Sequence, residues 1–529
     1  MKMRKGSMTL FAWLIILSLV FTSCTQAGEV PVTGGTPTQM VGQPTTAETS
    51  AAPAVTTPEA TMAATTAATE AMTPAGTEAM TPAATTAATM AATTAATMAA
   101  TEAATPAVTQ TQAAGAVPGS EATGQLEIYH WWTAPGEREA ADAMFAAFND
   151  KYPNIEVMEN PNPGGGGVNQ RVVLQSRIAS GDFPDTFQTL GGAELKNYVD
   201  SGVLQPLDDL WQELNYAEVI PGPLAKAVTI DGHPYVVPLN MHIQNILYYN
   251  KKLFDENNLQ PPTTFDELMA VCNTLKTAQP NMSCLGLGSK EKWGDAFVFD
   301  SILLEEIGAE NYVKLYRGEV DVSADPAYRT SLEKFQQLIP FINTDHSGLT
   351  WDQAVGLVGS GRAAMTIMGT WAICAFTKGS NWQPDVDFGA VTFPQEPDRI
   401  LLFHPDAYGL AVNAPNPEAT ENWLRVVASP ELQIPTDVTQ GGLFERTDID
   451  ATEFPDPIRQ ELQSYVSENP DMLILDQHGS IMPAAAQTAY WDILSAFLAQ
   501  PNVDSTIQNV ASMFTTYSVK EESAWYTWP

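Results

Sequence analysis

Few residues of this chain stand at spacings that suggest chemistry. In HWWTAPGE, residues 130–137, Trp131 and Trp132 sit side by side behind an apolar-alternating stretch, LEIYH. Neighbouring side chains on a strand point to opposite faces, so both indoles cannot enter one core, and one of the two has another task. In LLFHPDAY, residues 401–408, His404 and Asp406 flank Pro405 at a spacing that suits a turn. No third ligand accompanies them at metal spacing, so no metal site is expected. Four glycines at 164–167 suggest a phosphate cradle. The following Lys-Ser/Thr of a P-loop and the dinucleotide spacing are both missing, and a flexible loop is the better reading. The chain holds 4 cysteines, none in CxxC, which leaves a zinc ribbon or redox dithiol without support. Cys272 and Cys284 lie either side of a Pro-Asn turn. An oxidising compartment would permit a bridge between them; otherwise they are two small buried hydrophobes. GxSxG, HExxH and other local catalytic signatures are absent, and no catalytic residue is assigned.

What must position these residues is an alternation of strands and helices. LEIYHWW reads as a strand; EREAADAMFAAFNDKYP has apolar residues at helical spacing and stops at Pro153; NIEVME returns to strand alternation. RVVLQSRIASGDFPDTFQTL repeats helix then strand, and HPYVVPL adds a short strand. This alternation predicts an α/β fold with largely parallel strands, whose ligands gather at the carboxyl ends of the strands. HWWTAPGE lies at such an end.

The globular composition begins only near Gln125. Residues 25–124 contain no aromatic, no Leu, no Ile and no basic residue, and are crowded with Thr, Ala, Pro and Met. Nothing there can form a core. EAMTPA recurs at 70 and 78 and TTAATMAA at 85 and 93, a period that matches neither a heptad nor a solenoid unit. The expected role is a flexible stalk, open to O-glycosylation, with a random-coil reach on the order of 55 Å. Its Thr and Pro content weakens the rival reading of an alanine-driven helical spacer. Before it, Lys2, Arg4 and Lys5 precede LFAWLIILSLVF, the charged and apolar regions of a secretory signal too short for a comfortable membrane span. The segment ends at FTSC, which resembles the lipobox of bacterial lipoproteins, although that family prefers Leu where Phe21 stands. The resemblance implies cleavage after residue 23 and lipidation of Cys24; the alternative is an ordinary signal peptide and a free Cys24. The formal net charge of −36 disfavours nucleic acid and anionic membrane faces as partners and describes a soluble, self-repelling exported chain.

Several stretches, taken in order, carry a more specific resemblance: LEIYHWWTAPGE, SGDFPDTFQ with YVDSGVLQPLDDL, HPYVVPLNMHIQNILYYNKKLF, PPTTFDELMAVCNTLK and GSGRAAMTIMGTWA. From about Gln125 onward the chain resembles the extracellular solute-binding proteins of ABC sugar transporters, the group that includes maltose-binding protein. HWWTAPGE and DQHGSIM resemble most the glucose- and mannose-type binders. The resemblance implies an α/β, two-lobed, periplasmic-binding-protein-like fold with a hinge and an interlobe cleft. The expected division is a signal peptide at 1–23, a linker at 24–124 and a binding domain at 125–529. Lobe 1 takes about 125–238 and 388–445, and lobe 2 about 239–387 and 446–529.

A sugar offers apolar C–H faces and a rim of hydroxyls, so its cleft needs flat aromatic surfaces and fixed polar groups. By resemblance Trp131 and Trp132 both enter the cleft where the strand ends and alternation lapses, Glu137 accepts hydroxyls at a helix start, and Trp371 in MGTWA stacks from the second lobe. Trp293 is a further aromatic candidate equally at home in a core, and Tyr249 in YYNK is expected in lobe packing with an edge in the cleft. His478 in DQHGSIM resembles a hydroxyl-contacting histidine, and a lone histidine is as often a satisfied core residue. His404 and Asp406 could face the cleft; Asn240 and Gln244, beside the expected crossing strand, are amide candidates. Two positions depart from the glucose-type pattern: Ala193 stands near a common histidine and Thr370 replaces an aspartate. Those losses imply a different sugar, a longer one, or compensation by His404 and Asp406. The resemblance further implies a monomer that needs no cofactor and hands a mono- or oligosaccharide to the permease subunits of an importer, held to the membrane by its lipid. Two rivals stand beside it. A secreted glycoside hydrolase would use two carboxylates about 5–10 Å apart across such a cleft, and a stalked adhesin would need no small sugar at all.

Overall fold

A computed structural model of the chain describes residues 121–526. The expected signal, the Cys24 lipidation site and nearly all of the expected linker lie outside these residues.

Among the described residues, twelve strands run in chain order as β1 (Gly124–His130), β2 (Ile155–Pro161), β3 (Thr186–Leu190), β4 (Thr229–Ile230), β5 (His233–Pro234), β6 (Val236–Ile243), β7 (Ile246–Asn250), β8 (Ser283–Leu285), β9 (Ala363–Met368), β10 (Phe388–Thr392), β11 (Leu401–Gly409) and β12 (Leu473–Leu475). They form two main sheets. The first is 6-stranded, ordered β12-β11-β3-β1-β2 with β6 also on β11; the second is 4-stranded, ordered β10-β7-β9-β8. β4 and β5 make a small hairpin.

The strand-helix-strand opening is present as read. β1 leads into the helix Glu137–Lys151 and then β2, and β1 pairs in parallel with both β2 and β3. The helix buries Ala140, Ala141, Met144 and Phe148, and its Phe148 ring packs edge-on against Trp423 at 5.4 Å. Beyond this opening the strands are mixed rather than largely parallel: β11 runs antiparallel to β3 and β6, and β7 antiparallel to β9 and β10. A right-handed helical crossover forces parallel neighbours only when chain returns to the same sheet. Here β6 and β11 are entered or left by passage between the two sheets.

Strand pairing also moves the expected lobe boundaries. β6 belongs to the first sheet through Ile243, so the first passage falls at Ile243–Ile246 rather than at 238. β10 still pairs with β7, which places the return between Thr392 and Leu401 rather than at 388. β12 pairs with β11, so the C-terminal stretch revisits the first sheet before the helix Ala484–Ala499 packs on the helix Trp293–Tyr316 beside the second sheet. Asn245 ties the two passages together. Its Nδ2 donates to the carbonyls of Phe393 (3.3 Å) and Ile400 (3.0 Å), while its Oδ1 accepts from the Leu402 N–H at 2.9 Å.

Cys272, on the helix Phe265–Ala278, is bridged to Cys284 on β8. That helix begins where the Thr264 hydroxyl accepts the Glu267 N–H, satisfying one of the unpaired donors of its first turn. Cys374 is the free, buried cysteine among the described residues. No helix among the described residues is long and apolar enough to cross a membrane.

Candidate functional site

Between the two sheets lie two neighbouring cavities that share Trp131, Glu137 and Trp351 in their walls. The outer one, about 1210 Å³, is an open groove; the inner one, about 30 Å³, has room for about one water. The first sheet and its connections supply Trp131 and Trp132 after β1, Glu137 at a helix start, Leu190 at the end of β3, His242 near the end of β6, and His404 and Asp406 from the middle of β11, where Pro405 sits in a paired strand rather than in the expected turn. The second sheet's surroundings supply Trp293 and Trp351, each at the start of a helix, and Trp371 just after β9. His478, after β12, closes one side. Trp131 and Trp132 reach one cavity because β1 ends at His130, and the irregular backbone beyond it no longer imposes alternation.

Asp406 is the polar anchor. Its Oδ2 accepts the Trp132 Nε1–H at 3.2 Å and lies 3.4 Å from His242 Nε2. The other ring nitrogen of His242 is 3.0 Å from the Thr370 hydroxyl, so the threonine at this departure from the glucose-type pattern holds a histidine in place. His404 Nδ1 lies 2.5 Å from Asp476 Oδ2, and Asp476 also accepts the His478 N–H at 2.9 Å. Burial works against a charge on His404, but the adjoining Asp476 carboxylate, helped by Asp406 and Glu194, raises its pKa above the ordinary value. Burial holds His478 and His242 the other way, well down for His478, which also feels His404 beside it. The three imidazoles form a cluster centred on His404, whose ring centroid lies 5.7 Å from that of His242 and 5.2 Å from that of His478.

Several polar atoms in this wall have no protein partner. Trp293 Nε1, His478 Nδ1 and Gln440 Oε1 are all buried and unbonded. A buried donor or acceptor left unmade costs about 1–3 kcal/mol, so such a set marks where a polar ligand or water completes the bonds. Around them the aromatic rings meet edge to face: His242 on Trp371 at 5.1 Å and 88°, Trp293 on Trp371 at 6.0 Å and 71°. Flat apolar faces interleaved with single donors and acceptors suit a ligand with apolar faces and a hydroxyl rim.

Glu137 differs from its expected part. It opens its helix and lines both cavities, but its Oε2 accepts the backbone N–H groups of Thr133 (3.1 Å) and Ala134 (3.0 Å), which shapes the turn that carries the tryptophans. Burial outweighs those two bonds and pushes its pKa up to about 7.

Asn240 and Gln244 do not line the inner cavity. Asn240 is wholly buried beside Asp406 on the neighbouring strand and is covered by Gly442, where a Cβ would come within 3.0 Å of the amide. Gln244 lies in the passage after β6, and its Nε2 donates to Asp300 at 3.1 Å, inside the packing of the second sheet. Tyr249 packs on Phe254 at 4.6 Å rather than on the cavity. Ala193 donates its N–H to the Ser480 carbonyl and is absent from the wall.

His242, Leu190, Trp351 and Gln440 also line the inner cavity, and the sequence reading does not reach them. His242 was within reach: it stands midway between Asn240 and Gln244 with the same strand parity, so the argument that picked out the amides applies to it. The four glycines are structured. Gly165–Gly167 form a 3-10 turn leading into the helix Val168–Ala179. Among the described residues, no group of three or more His, Cys, Asp or Glu side chains could hold a metal ion.

A profile of the family described as bacterial extracellular solute-binding protein matches residues 134–434. An ABC transporter extracellular-binding protein of Pyrococcus horikoshii is 37% identical over 392 residues, which cover 73% of this chain and 86% of that protein. A probable sugar-binding periplasmic protein of Brucella melitensis is 27% identical over 388 residues, covering 72% of this chain and 90% of that protein. Among solved structures, a bacterial solute receptor, AcbH, described as having an exclusive preference for β-D-galactopyranose, superposes with a TM-score of 0.66 at 16% identity, covering 75% of this chain and 99% of its own.

Proposed function

The chain belongs to the bacterial extracellular solute-binding proteins, and on that premise we propose that it captures a sugar between its two lobes and delivers it to the permease of an ABC importer. The observation that carries the reading is the inner wall itself: Trp131, Trp132, Trp293, Trp351 and Trp371 set around Asp406, three histidines and the unbonded polar atoms of Trp293, His478 and Gln440. The named function of the Brucella relative points the same way. The adjoining groove of about 1210 Å³ exceeds the roughly 300–1,000 Å³ of ordinary small-ligand sites and gives a saccharide longer than one ring somewhere to run.

Binding rather than hydrolysis is supported by how the carboxylates are engaged. Asp406 accepts from Trp132 and faces His242, and Glu137 accepts two backbone N–H groups, so each serves as a structural acceptor. Attachment through a lipid on Cys24, a stalk over residues 24–124, a binding domain from about Gln125 and a monomeric state complete the proposal. A thermal-shift screen of the full chain against mono- and oligosaccharides tests it, because a ligand that binds only the folded state raises the melting temperature by mass action. A sugar that raises it and is recovered uncleaved supports the reading; recovery as hydrolysis products favours the glycosidase, and no shift with any sugar removes sugar capture.

A further inference from the structure

At three glycines of the first lobe an added Cβ would press on side chains brought up from elsewhere in the fold. At Gly165 a Cβ would lie 2.7 Å from Trp351 Cδ1 and 3.1 Å from Trp293 Cζ2. At Gly166 it would lie 2.6 Å from His478 Nε2, with the unbonded Trp293 Nε1 at 3.8 Å. At Gly136, just ahead of the helix Glu137–Lys151, it would strike Cys374, whose Sγ would be 2.9 Å away. Gly136 and Gly165 sit in loops that follow β1 and β2 of the first sheet. Trp293, Trp351 and Cys374 sit on helices and turns around β9 of the second. Every real side chain at Gly136 or Gly165 would therefore collide with the facing lobe.

Gly166 and Gly136 have positive φ, at 62° and 87°, and so need glycine for their own backbone as well. Gly165 does not. The three atoms nearest a Cβ at Gly165 all belong to Trp351 and Trp293, so the facing lobe is what an alanine there would meet first.

We propose that Gly165, with Gly136 and Gly166, forms a side-chain-free seam that lets the lobes shut to the depth at which Trp351 and Trp293 meet the first lobe, and that this seam sets ligand affinity through closure. The inference rests on the two-lobed capture reading. It adds that affinity is controlled from backbone positions. If closure is a two-state equilibrium, a single methyl that opposes only the shut form moves the population toward open and reduces apparent affinity by the lost closed fraction.

Cys374 supplies a reporter that needs no ligand. It is wholly buried beside Gly136, so its access to a small alkylating reagent follows opening of the seam. The test compares the full chain, Gly165→Ala and Gly222→Ala for the rate of Cys374 alkylation by N-ethylmaleimide. Gly222 is a control because a Cβ there meets nothing within 4 Å. Alkylation is followed without sugar and with D-glucose, D-galactose, maltose or raffinose, beside the unliganded melting temperature. The expected result is an alkylation rate for Gly165→Ala raised about tenfold over wild type in at least one of these conditions, with an unchanged melting temperature and a matching loss of affinity for any sugar that protects wild-type Cys374. Equal rates for Gly165→Ala and wild type in every condition would overturn the seam, and so would a melting temperature lowered by Gly165→Ala alone. Failure of all four sugars to protect wild-type Cys374 counts against the capture reading, while the sugar-free comparison still decides the seam.

Discussion

Trp132 donates its indole N–H to Asp406 across 3.2 Å, joining the loop after β1 to β11 on the wall of the inner cavity. This bond separates the two adjacent tryptophans by task. Trp132 is 1% exposed and held by a carboxylate that His242 also approaches, whereas Trp131 lines both the inner cavity and the open groove.

Trp132→Phe should therefore lower unfolding stability by about 1–3 kcal/mol, since Asp406 loses a donor inside a buried site. Urea unfolding without ligand measures it. An unchanged midpoint would mean the bond is dispensable and Trp132 is held by packing alone.

Glu137 predicts a pH dependence of definite sign. With its pKa pushed up from 4.5 to about 7 by burial, the folded chain holds the proton more tightly than the unfolded one. That stabilisation is complete below the ordinary carboxylate value and is lost as pH rises through about 7. Glu137→Gln, which keeps an oxygen for the Thr133 and Ala134 N–H groups, should remove on the order of 3 kcal/mol of pH dependence over that window. Parallel unfolding curves for the two chains from about pH 4.5 to 7.5 decide it, and identical pH profiles would contradict the assignment.

Gln244 should behave as a structural residue. Its amide donates to Asp300, which also accepts from the Tyr312 hydroxyl at 3.1 Å, all within buried packing. Gln244→Leu should lower the melting temperature and leave sugar affinity within about twofold, because a buried carboxyl loses a donor outside the walls of both cavities. A large affinity loss at unchanged stability would return Gln244 to the site.

What could be read from sequence follows from how local each signal is. The tryptophan pair, Glu137, and His404 with Asp406 declare themselves within a few residues of a strand end, and all of them line the inner cavity. Gln244 misled because where the chain leaves one sheet for the other is fixed by strand pairing across long separations, and β6 runs five residues past the expected boundary at 238. The glycine run resembled a loose loop because the reason for it lies in Trp293, Trp351 and His478, brought up from distant parts of the chain. Gln440 and Trp351 carry no local mark at all: each is an ordinary helix-end residue until the lobes meet.

Residues 25–124 carry no aromatic, no Leu and no Ile, so a chain beginning at about Gly124 is expected to bind its sugar as tightly as the longer one. Cys24→Ser should release the protein from membranes or leave it unprocessed. Fractionation and calorimetric titration check the pair; weakened binding on truncation would move the domain boundary, and unchanged membrane retention would remove the lipid anchor.

The central claim is that aromatic faces from both lobes hold a sugar. Its most direct test is a sugar titration by intrinsic fluorescence on wild type, Trp131→Ala and Trp371→Ala, alongside unliganded thermal unfolding of the same three chains. Stacking surface of about 1–3 kcal/mol per ring predicts a roughly ten- to hundredfold loss of affinity for each variant, with the fold retained. Unchanged affinity together with a collapsed melting temperature for both variants would make these rings core residues and contradict the account.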